Sequence, residues 1–233
     1  MGTPQLTVDT WDGYAARWSA VHGGLDPRRA TWAIRGWLRL AYLCGRPLAR
    51  QRISANTLTS IGLLGSVAAP LVMLLGPGWA TAAGAFVLVT ALAGTVDGAV
   101  AVITGRATPW GTVYQAAACR IGEACWLTAL WLAGAPSWLV VGACGVAWLH
   151  EYVRLQATLV GANRAATVTM AELPMRVSVS AAGLALSGVA HLVSAELAIG
   201  AATMAATVWL LLGVGGLIQL GDAVNTVLKD RRP

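Results

Sequence analysis

An all-α integral membrane protein is the fold class that the sequence predicts, and three observations support it. The chain has 233 residues, of which 57% are hydrophobic and only 11% are charged, and its mean hydropathy is +0.65. A soluble domain has about 25% charged residues, so this chain has too few charges for a water-exposed surface; it is also too apolar to be intrinsically disordered. Its apolar residues fall in runs of about 20, the length at which a helix crosses a bilayer.

Six apolar segments are long enough to span a bilayer, and we predict a transmembrane helix for each. They cover residues 57–76, 79–103, 111–133, 137–160, 175–195 and 197–221. Turn residues such as Gly76-Pro77-Gly78 and Gly134-Ala135-Pro136 separate them. The predicted domain division is a cytoplasmic N-terminal segment (1–53), a six-helix membrane domain (54–222) and a basic cytoplasmic tail (223–233).

Basic residues predict the orientation of these segments. Eight arginines precede residue 53, and further basic residues lie in the 2–3 connection, the 4–5 loop and the C-terminal end: Arg106, Arg164, Lys229, Arg231 and Arg232. The 1–2, 3–4 and 5–6 connections have no lysine or arginine. By the positive-inside rule both termini are predicted to be cytoplasmic. The net charge of +6 therefore indicates anionic lipids, and not nucleic acid, as partners.

An amphipathic helix is predicted between Arg28 and Arg50, before the first span. At 100° per residue one narrow stripe contains five arginines: Arg28, Arg35, Arg39, Arg46 and Arg50. The opposite side is mostly apolar, with Ile34, Trp37, Leu38 and Ala41. This pattern is typical of a helix that lies in the membrane interface, and we expect Pro47 to end or kink it.

Ionisable residues inside the predicted spans are candidates for function, because charges in lipid are costly. They are Asp97 in span two, Arg120 and Glu123 in span three, and His150, Glu151 and Arg154 in span four. Arg120/Glu123 and Glu151/Arg154 have opposite charges at i and i+3. Each pair is either a structural ion pair or part of a polar cavity. Asp97 has no such partner on its own helix, and Gly94 and Gly98 leave room for another backbone or a ligand to approach it closely.

The order Asp97-Gly98-x-x-Ala101, with Gly111 ten residues later, resembles the signature of the CDP-alcohol phosphotransferases, D-x-x-D-G-x-x-A-R-x8-G-x3-D-x3-D. These are six-span, generally dimeric membrane enzymes that build phospholipid head groups. Further segments are similar to actinobacterial members: Gly23-Gly24-Leu25-Asp26-Pro27, Ser54-Ala55-Asn56-Thr57-Leu58-Thr59, Thr104-Gly105-Arg106, His150-Glu151-Tyr152-x-Arg154 and Glu172-x-Pro174-x-Arg176. The resemblance covers most of the chain and implies a nucleotide-site region that contains Gly98, Ala101, Arg106 and Gly111. It also implies a location in the bacterial plasma membrane.

Four positions of this signature depart from the family. Gly94, Gln115 and Cys119 stand where the family has aspartates, and Val102 stands where it has arginine. In the family the four aspartates hold two divalent metals, and the last one also activates the alcohol. Mg²⁺ and Mn²⁺ require carboxylate oxygens, which glycine, glutamine and a soft thiol do not supply. We therefore expect no metal cofactor, since one carboxylate cannot balance two divalent ions.

Three functions are compatible with these features. The first is a catalytically inactive family member that serves as a partner subunit, in a homodimer or with an active paralogue. The second is a membrane enzyme for lipid modification or terpenoid cyclisation, with Asp97, Glu123, His150, Glu151 and Arg154 in its cavity. The third is an active CDP-alcohol phosphatidyltransferase with an atypical Mg²⁺ or Mn²⁺ site.

Overall fold

Helices make up the secondary structure of the described part of the chain. The computed structural model describes residues 10–21, 26–30, 32–106, 108–160, 169 and 171–229. Within these residues no strand occurs, and the α-helices are α1 (Trp11–Val21), α2 (Trp32–Arg50), α3 (Ala55–Met73), α4 (Ala80–Thr104), α5 (Pro109–Leu132), α6 (Ser137–Leu159), α7 (Leu173–His191) and α8 (Ala195–Lys229). The all-α prediction is confirmed for this part of the chain.

A helix occupies each of the six segments that were predicted to cross the membrane. Four of them, α3, α4 with the short 3₁₀ turn before it (Pro77–Trp79), α7 and α8, are long and apolar enough to do so. Helices α5 and α6 have 24 and 23 residues, which is long enough, but they also carry most of the ionisable residues predicted within the spans. Among the described residues, four helices are therefore suited to a membrane by length and composition.

The N-terminal part contains one more helix than the sequence predicted. Helix α1 was not predicted, and α2 begins at Trp32 rather than at Arg28. Arg28 instead lies in a turn, where its backbone N–H and its Nε both donate to the Asp26 carboxylate at 2.9 Å. This hydrogen-bonded guanidinium holds the pKa of the Asp26 carboxyl below its usual range. Helix α2 continues through Pro47 and ends three residues later, at Arg50.

The faces of α2 agree in part with the predicted amphipathic pattern. Arg35 and Arg39 are exposed. On the predicted apolar side Leu38 and Ala41 are buried, whereas Trp37 remains 39% exposed and donates from its indole nitrogen to Thr95 of α4 at 3.2 Å. One side of α2 thus packs against the protein, and Arg35 and Arg39 face outward, whereas Arg46 of the predicted arginine stripe is half-buried.

Aromatic rings join α1 and α2 to the C-terminal part of α4. Tyr14 and Tyr42 have ring centroids 5.1 Å apart, and they form one buried cluster with Ala41, Ala99 and Val102. Burial raises the pKa of the Tyr14 phenol to about 12. The cluster explains why α1 is ordered as a helix, since an isolated helix of 11 residues is marginal in water.

Close contacts divide the chain into two compact units. Unit 1 comprises Met1–Leu64 and Thr90–Cys119, and unit 2 comprises Gly65–Val89 and Arg120–Pro233. Helix α8, in unit 2, continues to Lys229, past the predicted start of the tail at 223. Some predictions fall outside the described residues: those for Gly23, Gly24, Leu25, Arg164, Arg231 and Arg232. Each unit contains one cluster of polar residues, and the two clusters are described separately below.

Candidate functional site

Asp97 is the centre of the polar cluster in unit 1. Its carboxylate lies on α4 and is 2% exposed. Thr59 of α3 donates its hydroxyl to Oδ2 at 2.5 Å, and the side-chain amide of Gln115 of α5 donates to Oδ1 at 2.9 Å. Each oxygen of this buried carboxylate therefore has a hydrogen-bond donor, as a buried charge requires.

Gln115 fixes Asp97 in a way that does not fit a metal site. Because a carboxylate can only accept, the amide must present its NH₂ group, which also lies 3.4 Å from the carbonyl oxygen of Gly94. Gly94 has no side chain, and Cys119, one turn after Gln115, offers a thiol. The donor set is thus one carboxylate that is already hydrogen-bonded, which is unsuited to Mg²⁺ or Mn²⁺. Within the described residues no group of three or more His, Cys, Asp or Glu side chains could hold a metal.

A cavity of about 230 Å³ adjoins Asp97 within unit 1. The structure brings together around it all the motif residues that the sequence singled out as retained, with Gln115: Asp97, Gly98, Ala101, Arg106, Gly111 and Gln115. Gly111 is needed for this closeness, because a Cβ there would lie 3.1 Å from Asn56 Oδ1 and 3.0 Å from Thr108 Oγ1. Although these residues are separated in the sequence, they line one compact site.

Val102 lines the same cavity and has a packing role. It is 6% exposed and belongs to the buried cluster with Tyr14 and Tyr42. Val21, at the end of α1, also lines the cavity. An apolar residue at position 102, where the resemblance places an arginine, is therefore part of the surface on which α1 packs.

Sequence reasoning missed several residues of this site. Thr59 and Asn56 were noted only within residues 54–59, a segment similar to actinobacterial members of the family, and Arg52 only as one of eight N-terminal arginines. Arg52 lines a second, larger cavity of about 720 Å³ that shares Asn56 and Arg106 with the first. The available signal was the group of polar residues in the first turns of an otherwise apolar helix, α3.

The polar cluster in unit 2 has a buried ion pair at its centre. Arg176 of α7 donates from Nη1 to Glu123 Oε1 of α5 at 2.9 Å, and both side chains are almost fully buried. Arg120 Nη1 lies 2.9 Å from the other oxygen, Oε2, of Glu123. The predicted Arg120/Glu123 pair is therefore confirmed, and Arg176 is a partner that the sequence analysis did not assign to it.

His150 extends this cluster and is fully buried. Its Nδ1 lies 3.3 Å from Arg176 Nη2, and its Nε2 lies 2.9 Å from Thr169 Oγ1. A guanidinium can only donate, so Nδ1 accepts from Arg176 and Nε2 donates to Thr169. The ring is thus held at both nitrogens by protein groups.

A second group of ion pairs completes the cluster. Arg154 lies 2.9 Å from Glu151 and 3.1 Å from Glu172, so the predicted Glu151/Arg154 pair is also confirmed. Glu151 further lies 3.5 Å from Arg176 and 3.7 Å from Arg120. Three arginines face three glutamates, which makes the cluster electroneutral. This arrangement suits a low-dielectric environment, because each charge has a partner of opposite sign.

No protein-family model matches the chain, and no curated protein is significantly similar to it. The family resemblance therefore stays a prediction drawn from the residues of the motif.

Proposed function

We propose that the chain has the fold of the CDP-alcohol phosphotransferases but has lost their two-metal site, and that it acts as a pseudoenzyme or partner subunit. The observation that carries this proposal is the environment of Asp97. Thr59 and Gln115 hydrogen-bond both oxygens of the one motif carboxylate that remains. Hydrogen bonds from neutral groups thus stabilise the charge that divalent cations would otherwise balance.

The missing charge explains why phosphotransfer is not expected. Two metals bridging a diphosphate neutralise the charge that develops as the nucleotide leaves. Gly94, Gln115 and Cys119 contribute no carboxylate, so neither the metals nor the base that activates the alcohol has its ligands. Gln115 additionally donates to Oδ1 of Asp97, and Thr59 donates to Oδ2.

The proposed arrangement in the membrane has six spans, with both termini cytoplasmic in a bacterial plasma membrane. In it α5 and α6 cross the bilayer as well, because the balanced ion pairs of unit 2 remove much of the cost of their charges. The protein is a dimer in this proposal, formed with itself or with an active paralogue. Membrane lipids, including anionic ones, contact the arginine-rich α2.

The ion pairs also favour a structural role for the cavity candidates in unit 2. Glu123, Glu151 and Arg154 are each bound to a partner of opposite charge, and His150 is held at both nitrogens. An acid–base role would require one of these groups to exchange a proton with a substrate. Their partners make that exchange unfavourable, which is why we place the pseudoenzyme before the repurposed enzyme.

The first test restores the carboxylates. The triple variant Gly94→Asp/Gln115→Asp/Cys119→Asp is preferred, because a Cβ at Gly94 meets no atom within 4 Å and Val102 is best left in its buried cluster. With CDP-diacylglycerol, Mn²⁺ and glycerol 3-phosphate, we expect the triple variant to release CMP and the wild-type protein to release none above background.

The matched control is Asp97→Asn in the same triple background, which should abolish any release. Release of CMP by the wild-type protein that Asp97→Asn abolishes would overturn the proposal in favour of an active enzyme. If the triple variant folds but releases no CMP, the loss of carboxylates alone does not explain the inactivity of the wild-type protein. If a second chain that carries all four motif aspartates co-purifies with this protein from the native host, that chain is the partner.

A further inference from the structure

Three connections of unit 2 lie together at one end of it. They join α3 to α4, α5 to α6 and α7 to α8, over residues 74–79, 133–136 and 192–194. The 3₁₀ turn in the first connection packs against α7, where a Cβ on Gly78 would lie 3.8 Å from His191. A Cβ on Gly134, in the second connection, would lie 2.6 Å from Ile199, near the start of α8. The three connections therefore form one end surface of this unit.

This end surface is apolar. None of the residues in the three connections is charged, and the nearest formal charge along the chain is that of Glu196, two positions after the last connection. Among the described residues at this end, six apolar side chains are more than half exposed: Leu74, Leu75, Trp79, Trp138, Leu192 and Val193. A protein in water rarely exposes so many apolar side chains together, so we expect an apolar medium to cover them.

The lengths of the helices place this end surface at a membrane boundary. At the other end of unit 2, the side chains of Arg154 and Glu172 are 28% and 30% exposed, and such charges require water or head groups. Helix α7 follows Glu172 and has 19 residues, which gives a rise of about 28 Å. Arg154 is 17 positions after Ser137 on α6, which gives about 26 Å. Both lengths are shorter than a hydrocarbon core of about 30 Å, and tilt shortens them further, so the connections do not extend past the core into water.

The backbone of the connections also suits lipid, where each N–H group must find its acceptor within the protein. Ten N–H groups of the three connections donate to carbonyl oxygens of the preceding turn, at 2.9–3.2 Å: those of Leu74, Leu75, Gly76, Trp79, Ala133, Gly134, Ala135, Leu192, Val193 and Ser194. These connections therefore need few hydrogen bonds from water.

Tryptophan indicates the level of the head groups at this end. The chain has 11 tryptophans and one phenylalanine. Trp79, Trp131 and Trp138 lie in the connections or in the adjoining helical turns, and each is about half exposed or more. The indole ring is apolar but its N–H can donate to a polar group, so tryptophan concentrates where head groups meet acyl chains. Three tryptophans at one end of the unit are typical of this boundary layer.

We infer that this end of unit 2 is inserted in the membrane, with its three connections at the boundary between head groups and acyl chains. Its partner is the lipid of the leaflet opposite to Arg154 and Glu172. The connections then offer no charged side chain to a soluble partner. The inference rests on the proposed passage of unit 2 through the bilayer, and it does not depend on the loss of the metal site.

Site-specific fluorescence in reconstituted vesicles tests the inference. The full-length chain, with its four cysteines replaced by alanine, receives Val193→Cys or Leu75→Cys and is labelled there with the dye NBD, in vesicles of phosphatidylcholine and phosphatidylglycerol. The quenchers are a lipid with a nitroxide high on its acyl chain, and iodide on both sides of the membrane. We expect the nitroxide lipid to quench both labels, and iodide to quench them at least about threefold less than a label in water.

Two exposed positions on α8 supply matched controls. Helix α8 has 35 residues and is about 52 Å long, so Lys229 lies far beyond the opposite boundary of the core, and iodide alone should quench a label at Lys229→Cys. Met204 is nine positions after Ala195, about 14 Å along the helix and near the middle of the core. A nitroxide low on the acyl chain should therefore quench a label at Met204→Cys most strongly.

Two outcomes would overturn this inference alone, provided that the Met204→Cys label is in lipid. Equal quenching by iodide at Val193→Cys and Lys229→Cys would place the connection in water. Weak quenching of Val193→Cys and Leu75→Cys by both reagents would show that protein, either a second copy or another chain, covers the end surface. Absence of lipid quenching at Met204→Cys would overturn the proposed membrane arrangement as well.

Discussion

The side chains of Glu123 and Arg176 show how strongly single residues depend on their partners in this protein. Both are almost fully buried, and each supplies the opposite charge that the other requires. Removal of Arg176 takes the hydrogen bond from Glu123 Oε1 and leaves Arg120, which is 21% exposed, as the remaining partner of this buried carboxylate. Loss of one member is therefore expected to cost far more than loss of an exposed charge.

Arg176→Met is predicted to lower the free energy of unfolding by about 3–5 kcal/mol. Arg154→Met is the matched control, since Arg154 is 28% exposed and water can replace part of its interactions. The decrease in the free energy of unfolding should therefore be smaller for Arg154→Met. The double variant Glu123→Met/Arg176→Met should recover part of the stability, because no buried charge is left alone. Unfolding in mixed micelles with increasing SDS measures the stability of all three variants. Equal losses of stability for Arg176→Met and Arg154→Met would contradict a buried Glu123–Arg176 ion pair.

Helix α1 is held in place by Tyr14, whose buried phenol must stay neutral. Burial raises the pKa of Tyr14 to about 12 from the ordinary value of 10.0. The folded chain thus binds a proton that the unfolded chain releases between pH 10 and about pH 12. Its contribution to stability is fully present below pH 10 and is lost as the pH rises through that window.

An absorbance titration at 295 nm checks this prediction. The wild-type protein should show one tyrosine that ionises near pH 12, together with a loss of near-ultraviolet circular dichroism as α1 detaches. Tyr14→Phe keeps the ring in its cluster and should abolish the late transition. A late transition that persists in Tyr14→Phe would show that another residue is responsible.

Helices α7 and α8 pack closely through a glycine. A Cβ at Gly183 of α7 would overlap the Cβ of Ala205 of α8, so Gly183→Ala should destabilise the protein by about 1–3 kcal/mol. Gly200→Ala is the control on α8, because a Cβ there meets nothing within 4 Å and alanine is the better helix former. In thermal unfolding, the midpoint temperature should fall for Gly183→Ala and should not fall for Gly200→Ala. An equal fall of the midpoint in both variants would refute close packing at Gly183.

For the whole molecule, local sequence patterns were sufficient to predict every described helix except α1. Apolar runs predicted the positions of six helices, and spacing of three residues predicted both ion pairs, Arg120/Glu123 and Glu151/Arg154. These features depend on residues within one or two helical turns of each other, which sequence periodicity records directly.

Contacts between distant helices could not be predicted in the same way. Thr59 and Asp97 are 38 positions apart, and Glu123 and Arg176 are 53 apart. Sequence periodicity shows which face of a helix is buried, but it does not show which other helix that face contacts. Helix α1 was missed for a related reason, since its stability comes from packing against Tyr42 and Val102 rather than from its own short sequence.

In the proposed function, the site around Asp97 has exchanged metal ligands for hydrogen bonds. Electron paramagnetic resonance of Mn²⁺ titrated into the purified protein tests it most directly, because bound Mn²⁺ loses the six-line signal of the free ion. We predict no stoichiometric binding to the wild-type chain and no change in Asp97→Asn, but binding to Gly94→Asp/Gln115→Asp/Cys119→Asp. One or two Mn²⁺ ions bound per wild-type chain, and lost in Asp97→Asn, would contradict the account.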